Sequence, residues 1–156
     1  MDFEHLVQIN DPLMPLLDPL TREQVWRGLV RRAIDPVPFV LGLDSCRILE
    51  ERENYVKREL HFGRVVFVDH VTFTPFEKVR YESDAGGTHA GSSLTVTIEE
   101  PGAHVLFVRF RYHTVSRDPS VIEDPQVTGF RREAYREADI DTIRKIREYA
   151  ADGALD

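Results

Sequence analysis

The chain has little of the chemistry from which common catalytic centres are built. Cys46 is the one cysteine among 156 residues, so no intramolecular disulfide can form, and no paired-cysteine zinc motif is present. The six histidines are scattered, without the HxxxH or HExxH spacing of a helical metal site. No serine lies in a GxSxG segment, and no glycine loop carries the lysine of a phosphate site. We therefore expect neither metal nor cofactor.

Long apolar runs and an excess of positive charge are also missing. No apolar stretch reaches the roughly 20 residues of a bilayer-spanning helix, and the first residues lack the basic start of a signal peptide. Net charge is -7, with 27 acidic and 20 basic residues, which argues against nucleic-acid and anionic-membrane partners. We expect a single cytoplasmic domain spanning residues 1–156, without stable membrane insertion. The oligomeric state is left open.

The strongest pattern that is present is a pair of alternating segments, at residues 93–99 and 104–113. Every second residue in each is apolar, which predicts two strands sharing one buried face. With a three-residue loop at 101–103, Ile98 would lie opposite Leu106. The same register would place Val96 opposite Val108, and Leu94 opposite Phe110.

Further strands and a helix are predicted upstream. Residues 3–10 alternate as a first strand, and the prolines of residues 11–20 make that segment a loop. Thr21 and Gln24 form a capping-box pattern that opens an amphipathic helix ending at Asp35-Pro36. A second short helix or turn is expected at 37–41. Four more strands are predicted at 44–51, 55–62, 65–72 and 77–83.

The chain closes with a helix predicted from about Asp139 to Asp152. Its apolar residues stand at helical spacing: Ile140, Ile143, Ile146 and Ala150. Such a helix suits the concave side of a curved antiparallel sheet of about seven strands, an α+β arrangement that tends to leave a cavity. Residues 84–92 and 116–128 are expected to be loops. If Phe73 pairs with Glu77, Asp69 faces Tyr81.

Particular segments resemble a known family. They are FEHLVQINDP at 3–12, LTR at 20–22, VWRGLV at 25–30, VTF at 71–73, LTVTIEE at 94–100, and AY at 134–135 before Asp139-Ile140. Together they resemble the AtaL-like branch of the START and Bet v 1-like (SRPBCC) helix-grip superfamily. The resemblance implies two short helices after the first strand, and a hydrophobic cavity between the sheet and the C-terminal helix. It also implies a lipid-, steroid- or polyketide-like ligand, and no shared catalytic residue.

Polar side chains on the apolar faces are the candidate functional groups, because a buried polar group needs a partner. Asp69 could orient a ligand or act as a general base, and Arg58 could meet a ligand carboxylate or Asp69 itself. Tyr112 could bind a ligand oxygen, and His5 could titrate. Each also has an ordinary structural interpretation. Asp69 could make an internal hydrogen bond or be turned outward by a bulge, and Arg58 could be exposed at a strand edge. Tyr112 and His5 could simply pack in the core.

Three functional hypotheses follow. The first is binding of an apolar or amphipathic small molecule, with glycines 86–91 as an entrance gate. The second is a polyketide cyclase, dehydratase or isomerase using Asp69, Tyr81 and Arg58. The third is an interaction protein with a filled core and an apolar surface patch.

Face parity predicts this ligand-binding set: Val7, Trp26, Phe39, Val56, Arg58, Phe67, Asp69, Val79, Tyr81, Val96, Val108, Phe110, Tyr112, Ile143 and Ile146.

Overall fold

A computed structural model describes residues 2–84, 89–116, 118, 120 and 122–156. In these residues, seven strands and two helices follow one another along the chain in the order β1, α1, β2 to β7 and α2. The helices are α1 (Arg22–Ile34) and α2 (Pro125–Ala151). The strands are β1 (Asp2–Asn10), β2 (Ser45–Arg52), β3 (Tyr55–Phe62), β4 (Val65–Thr74), β5 (Lys78–Ser83), β6 (His89–Gly102) and β7 (Val105–Ser116).

The strands form one antiparallel sheet in the order β1-β7-β6-β5-β4-β3-β2. Apolar side chains at alternate positions of the strands point to one face, where both helices pack. The centre of the core lies between this face and the helices, and its most buried side chains are Ile9, Val25, Leu29, Val71, Val79, Val96, Val108, Phe110 and Ile146. The predicted α+β fold, with a long C-terminal helix against the sheet, is confirmed.

Helix α1 begins as the sequence predicts. Thr21 Oγ1 accepts from the Gln24 backbone, and Gln24 Oε1 accepts from the Thr21 backbone, which completes the capping box. Val25, Trp26 and Leu29 bury one side of the helix. The segment after Pro36 forms turns instead of a second helix, with the amides of Phe39 and Val40 both bonding to the Pro36 carbonyl.

The β6–β7 hairpin keeps the predicted buried face but not the predicted register. Ile98 lies opposite Val108, Val96 opposite Phe110, and Leu94 opposite Tyr112, two residues away from the expected pairing. The turn has two residues, at 103–104, and an irregularity between Glu99 and Gly102 adds one residue to β6. This β-bulge restores the parity that a two-residue turn alone would have reversed.

The β4–β5 hairpin shifts in the same way. Its turn occupies residues 75–77, so that Thr74 pairs with Lys78 and Val71 with Tyr81. Asp69 therefore lies opposite Ser83, and the expected pairing with Tyr81 is wrong. Phe76 adopts a left-handed backbone conformation in this turn, with φ of 62°. The longer hairpin changes which residues are neighbours but leaves Asp69 on the inner face.

Helix α2 is longer than predicted, since it starts at Pro125 and has 27 residues. Asp124 caps its first turn by accepting from the Gln126 backbone, and Pro125 is suited to the first helical position. Its buried residues include Asp139 and Thr142 beside Ile143 and Ile146, whereas Ile140 is 47% exposed. Neither helix of the described chain is both long and apolar enough to cross a lipid bilayer.

Gly28 sets the distance between the two helices. A Cβ at this position would lie 2.7 Å from both Cγ1 and Cγ2 of Ile146, whose side chain is fully buried. Real Cβ atoms do not approach carbon atoms that closely, so the helices can pack this tightly only while residue 28 is glycine.

We expect Gly28→Ala to lower the free energy of unfolding by about 1–2 kcal/mol, because overpacking outweighs the higher helix propensity of alanine. Gly129→Ala is the matched control, since Gly129 is an exposed helical glycine with open space around it. That change should stabilise by up to about 1 kcal/mol. Urea denaturation measures both, and equal stabilisation by the two changes would contradict the packing argument.

Candidate functional site

A cavity of about 440 Å³ lies between the inner face of the sheet, the end of α1 and the N-terminal half of α2. Its apolar wall is Pro36, Val40, Leu43, Leu60, Phe62 and Leu94. Its polar wall is Arg32, Arg58, Asp69, Tyr81, Ser83, Ser92, Ser93, Tyr112, Thr114, Arg131 and Tyr135. The space is large enough for a small organic molecule and offers it both apolar and hydrogen-bonding contacts.

The register of the sheet groups the polar residues of the inner face into one row. Arg58 lies opposite Asp69, Asp69 opposite Ser83, Ser83 opposite Ser92, and Ser92 opposite Thr114. All five residues border the cavity. The row two residues further along the same strands is mostly apolar or aromatic, and consists of Val56, Val71, Tyr81, Leu94 and Tyr112. The cavity therefore lies where the inner face changes from apolar to polar.

Arg58 and Asp69 form a buried ion pair at one end of the polar row. Nε of Arg58 donates to Oδ1 of Asp69 at 2.8 Å, and Nη2 donates to Oδ2 at 2.6 Å. Nη1 donates to the carbonyl of Ala33 at 2.9 Å. The two residues are only 5% and 3% exposed, so a missing partner would leave a buried charge uncompensated. The interpretation of Arg58 as an exposed arginine is wrong.

Tyr81 joins this pair to α1. The guanidinium carbon atoms of Arg58 and Arg32 each lie 5.0 Å from the centroid of the Tyr81 ring. Cations at this distance are attracted to an aromatic ring, and the contact holds the planar groups in place. Arg58, Asp69 and Tyr81 therefore all border the cavity together, as the enzyme hypothesis requires, with Asp69 bonded to Arg58 through both oxygens.

A second polar cluster connects the cavity wall to the interior of α2. The Tyr112 hydroxyl donates to Oδ1 of Asp139, and Nδ1 of His5 lies 3.2 Å from Oδ2 of the same carboxyl. Asp139 is 1% exposed, and its burial raises the pKa of the carboxyl above the ordinary value. Burial and then the neighbouring Asp139 raise the pKa of the Tyr112 phenol, so Tyr112 stays protonated as a donor.

Tyr135 extends the aromatic wall from α2. Its ring stacks on Tyr112, with centroids 4.0 Å apart and an interplanar angle of 8°. Phe3 packs beside both rings, at centroid distances of 5.9 Å from Tyr135 and 6.0 Å from Tyr112. Both tyrosines border the cavity, so the stacked pair gives its wall aromatic surface while the Tyr112 hydroxyl stays bonded to Asp139.

The structure places only part of the predicted ligand-binding set at the cavity. Arg58, Asp69, Tyr81 and Tyr112 border it. Ten predicted wall residues instead pack in or against the filled core: Val7, Trp26, Phe39, Val56, Val79, Val96, Val108, Phe110, Ile143 and Ile146. Phe67 lies on the inner face opposite Leu60, but it is 42% exposed near the start of β4 and does not border the cavity. Of the predicted gate at residues 86–91, residues 86–88 lie outside the described residues, and residues 89–91 begin β6 instead of forming a loop.

Several cavity residues were missed, although the sequence carries signals for them. Ser83, Ser92 and Thr114 continue the inward parity of Tyr81, Leu94 and Tyr112 beyond the apolar runs. Arg131 and Tyr135 precede Asp139 at four-residue spacing, which marks one helix face once the helix is known to start at Pro125. Arg32 follows Leu29 by three residues and so shares the inner face of α1.

Other chemistry is limited among the residues that the structure describes. They include no group of three or more His, Cys, Asp or Glu side chains placed to hold a metal ion. Burial raises the pKa of the Cys46 thiol, which disfavours the reactive thiolate. Ligand binding or catalysis in the cavity would therefore use its hydrogen-bonding and charged side chains.

The model of one protein family, described as "Acetylaranotin biosynthesis cluster protein L" (AtaL), matches residues 7–153. The chain belongs to the AtaL family. The predicted recognition is confirmed, since the solved structures similar to this AtaL-family chain have the Bet v 1-like (SRPBCC) helix-grip fold. No protein of curated function matches the chain in sequence.

Three solved structures illustrate the likeness. The Zhui aromatase/cyclase from Streptomyces sp. R1128 is 14% identical, with a TM-score of 0.67 over 96% of this chain and 95% of that one. Ara h 8.0201 is 8% identical, with a TM-score of 0.68 over 95% and 98% of the two chains. StfQ, a di-domain ARO/CYC from the steffimycin biosynthetic pathway, is 10% identical, with a TM-score of 0.70. The similarity covers 98% of this chain and 52% of StfQ. At these identities the likeness establishes the fold.

We expect Asp139→Asn to change how stability depends on pH. Because the folded-state pKa of Asp139 is raised, its contribution to stability is fully present below the ordinary pKa of 3.8 and is lost as the pH rises through the folded value. Asparagine has no such titration. The Tm of the variant minus that of the wild type, measured by thermal unfolding, should therefore increase as the pH rises above 3.8. A constant difference would contradict the assignment.

Proposed function

We propose that this protein binds an apolar or amphipathic small molecule in the cavity between the sheet and α2. The observation that carries the proposal is the composition of the cavity wall. Leu60, Phe62 and Leu94 supply apolar surface, and the rings of Tyr112 and Tyr135 supply flat aromatic surface. A cavity of about 440 Å³ with apolar walls and a few fixed polar groups is the usual form of a small-molecule site.

The polar row supports an amphipathic ligand over a purely apolar one. Ser83 and Ser92 lie opposite each other and place two hydroxyl groups side by side on the sheet. The guanidinium groups of Arg32 and Arg58 are held near them by contact with the Tyr81 ring. Hydroxyls fixed on strands cost little to orient, so they can bind ligand oxygens with little loss of conformational entropy. We infer that the apolar part of the ligand contacts the aromatic wall and that its oxygens face this row.

The comparisons are consistent with this proposal. The Zhui protein and StfQ are named as an aromatase/cyclase and an ARO/CYC, and StfQ belongs to a biosynthetic pathway. The family description also refers to a biosynthesis cluster. These names favour a product or intermediate of secondary metabolism, such as a polyketide-like molecule, over a membrane lipid.

Native mass spectrometry of gently purified protein tests binding directly. We expect a discrete non-covalent mass on the wild type, or uptake of the apolar dye N-phenyl-1-naphthylamine when the protein is isolated empty. Ser92→Phe should abolish either signal, because the ring would fill the cavity beside Thr114. Ser45→Phe makes the same change at an exposed position and should bind as the wild type does. Wild-type protein that neither carries a passenger nor takes up the dye would overturn the proposal.

A second candidate function is cyclisation or dehydration of a polyketide-like substrate. The observation that favours it is that Arg58, Asp69 and Tyr81 all border the cavity. In an intramolecular aldol step, a carbon–carbon bond forms between an enolate carbon and a carbonyl carbon. Asp69 would accept the proton from the nucleophilic carbon, and Arg58 would stabilise the oxygen of the resulting enolate. The Tyr81 hydroxyl would donate a proton to the new alkoxide and regain one from Asp69. Loss of water would then give the aromatic ring.

A synthetic poly-β-ketone thioester serves as the probe of this reaction. If the protein is a cyclase, the aromatic chromophore should form faster than in buffer, and Tyr81→Phe should slow it at least about tenfold. The variant keeps the ring beneath both guanidinium groups, so dye binding should be unchanged. A bound probe that reacts no faster than in buffer would exclude this candidate and leave the binding function intact.

A further inference from the structure

The charge of the cavity wall is opposite to that of the whole protein. Net charge over the chain is -7, yet of the four charged side chains that border the cavity three are arginines: Arg32, Arg58 and Arg131, with Asp69 as the one carboxylate. A concave wall of one sign inside a low-dielectric protein attracts ligands of the other sign. Which arginine could bind a ligand anion depends on whether a carboxylate of the protein is already paired with it.

Two of the three arginines are already neutralised. Both Nε and Nη2 of Arg58 donate to Asp69. Nη2 of Arg131 lies 2.5 Å from Oε1 of Glu123, in the turn before α2. An ion-paired guanidinium has its charge balanced before a ligand arrives. Neither residue therefore needs an external anion.

Arg32 lacks such a counter-ion. It lies in the last turn of α1, and its Nε makes one long hydrogen bond of 3.4 Å to Thr142 Oγ1. Among the described residues, no carboxylate lies within ion-pair distance of Arg32. The other guanidinium on the same tyrosine ring, that of Arg58, is paired with Asp69. Arg32 is therefore the arginine of the cavity wall that has no paired carboxylate, and the buried Asp139 acts on it only at longer range.

Arg32 also borders a groove between residues 37–43 and α2. The acidic side chains along this groove are an alternative source of a counter-ion for Arg32. Three acids border that groove. Glu137 forms no ion pair with Arg32, and the other two, Asp141 and Glu148, pair with Arg144 at 2.6 Å and with Lys145 at 3.0 Å. Their charges are balanced within α2 itself. The groove thus leaves the cavity as the place where an anion would meet Arg32.

We propose that the ligand of the cavity is an organic anion and that Arg32 binds its acidic group. The inference rests on the proposed binding function and narrows it to amphipathic acids, whether carboxylates, sulfonates or acidic enols. Contact with the Tyr81 ring fixes the guanidinium plane, so little side-chain entropy is lost when an anion binds. The apolar part of such a ligand would extend toward Tyr135 and Leu94, across the cavity from the charged end.

Two dyes that share an aromatic skeleton test the proposal. One is 8-anilinonaphthalene-1-sulfonate, which is an anion, and the other is N-phenyl-1-naphthylamine, which lacks the sulfonate. Fluorescence titration gives a Kd for each with the wild type, Arg32→Gln and Arg32→Lys. Arg31→Gln is the matched control, because it removes one charge from the same turn of α1 where Arg31 packs on Tyr149, outside the cavity.

We expect Arg32→Gln to weaken binding of the sulfonate at least about tenfold and binding of the neutral dye less than about twofold. Arg32→Lys should recover part of the lost affinity, and Arg31→Gln should change neither Kd. Equal weakening of both dyes would assign Arg32 a structural role and overturn the inference. Unchanged binding of the sulfonate dye by Arg32→Gln would also overturn the inference. If the wild type binds neither dye, the proposed binding function itself fails, which separates the two failures.

Discussion

The cavity depends on the close contact between Gly28 and Ile146. Ile146 packs directly on the backbone of α1, and only a residue without a Cβ allows this approach. The contact holds the C-terminal half of α2 against α1 and the sheet, where Ile143 and Ile146 fill the core. The N-terminal half of α2 then continues over the sheet with Arg131 and Tyr135 on its inner face. These residues border a space instead of closing it.

The inner face of the sheet is divided in the same way into a part that the helices cover and a part that borders the cavity. Rows that contain Val79, Val96 and Phe110 are sealed by the helices. The row from Arg58 to Thr114 is polar and meets the cavity. Buried charges along this boundary are satisfied in pairs, Arg58 by Asp69 and Asp139 by Tyr112 and His5. Such groups stabilise the wall only because each has its partner. Arg32 differs from them because no carboxylate of the described residues is paired with it.

Much of the fold could be predicted because periodicity reports which face of an element is buried. The alternation in β6 and β7 gave the correct inner face, and the Thr21 capping box gave the start of α1. Register was harder to predict, because parity is unchanged when a hairpin shifts by two residues. The wrong pairings of Asp69 with Tyr81 and of Ile98 with Leu106 each missed such a shift. The start of α2 was missed because its first half carries few buried apolar residues.

The cavity itself was harder to predict than the fold. Parity identifies inward residues but does not say which of them the helices cover, so Val96 and Phe110 were assigned to a pocket although they pack in the core. Asp139 and Thr142 were missed because the helix pattern pointed to apolar Ile140, which is exposed. Polar residues on an inner face were the better guide, since Arg58, Asp69, Tyr81 and Tyr112 all border the cavity.

A crystal structure of the protein grown with a bound amphipathic acid would test the central claim most directly. The account predicts electron density for the ligand between the polar row of the sheet and Tyr135, with its acidic group within hydrogen-bond distance of Arg32. Ligand density elsewhere on the surface, with side chains of the protein filling the space beneath α2, would contradict it.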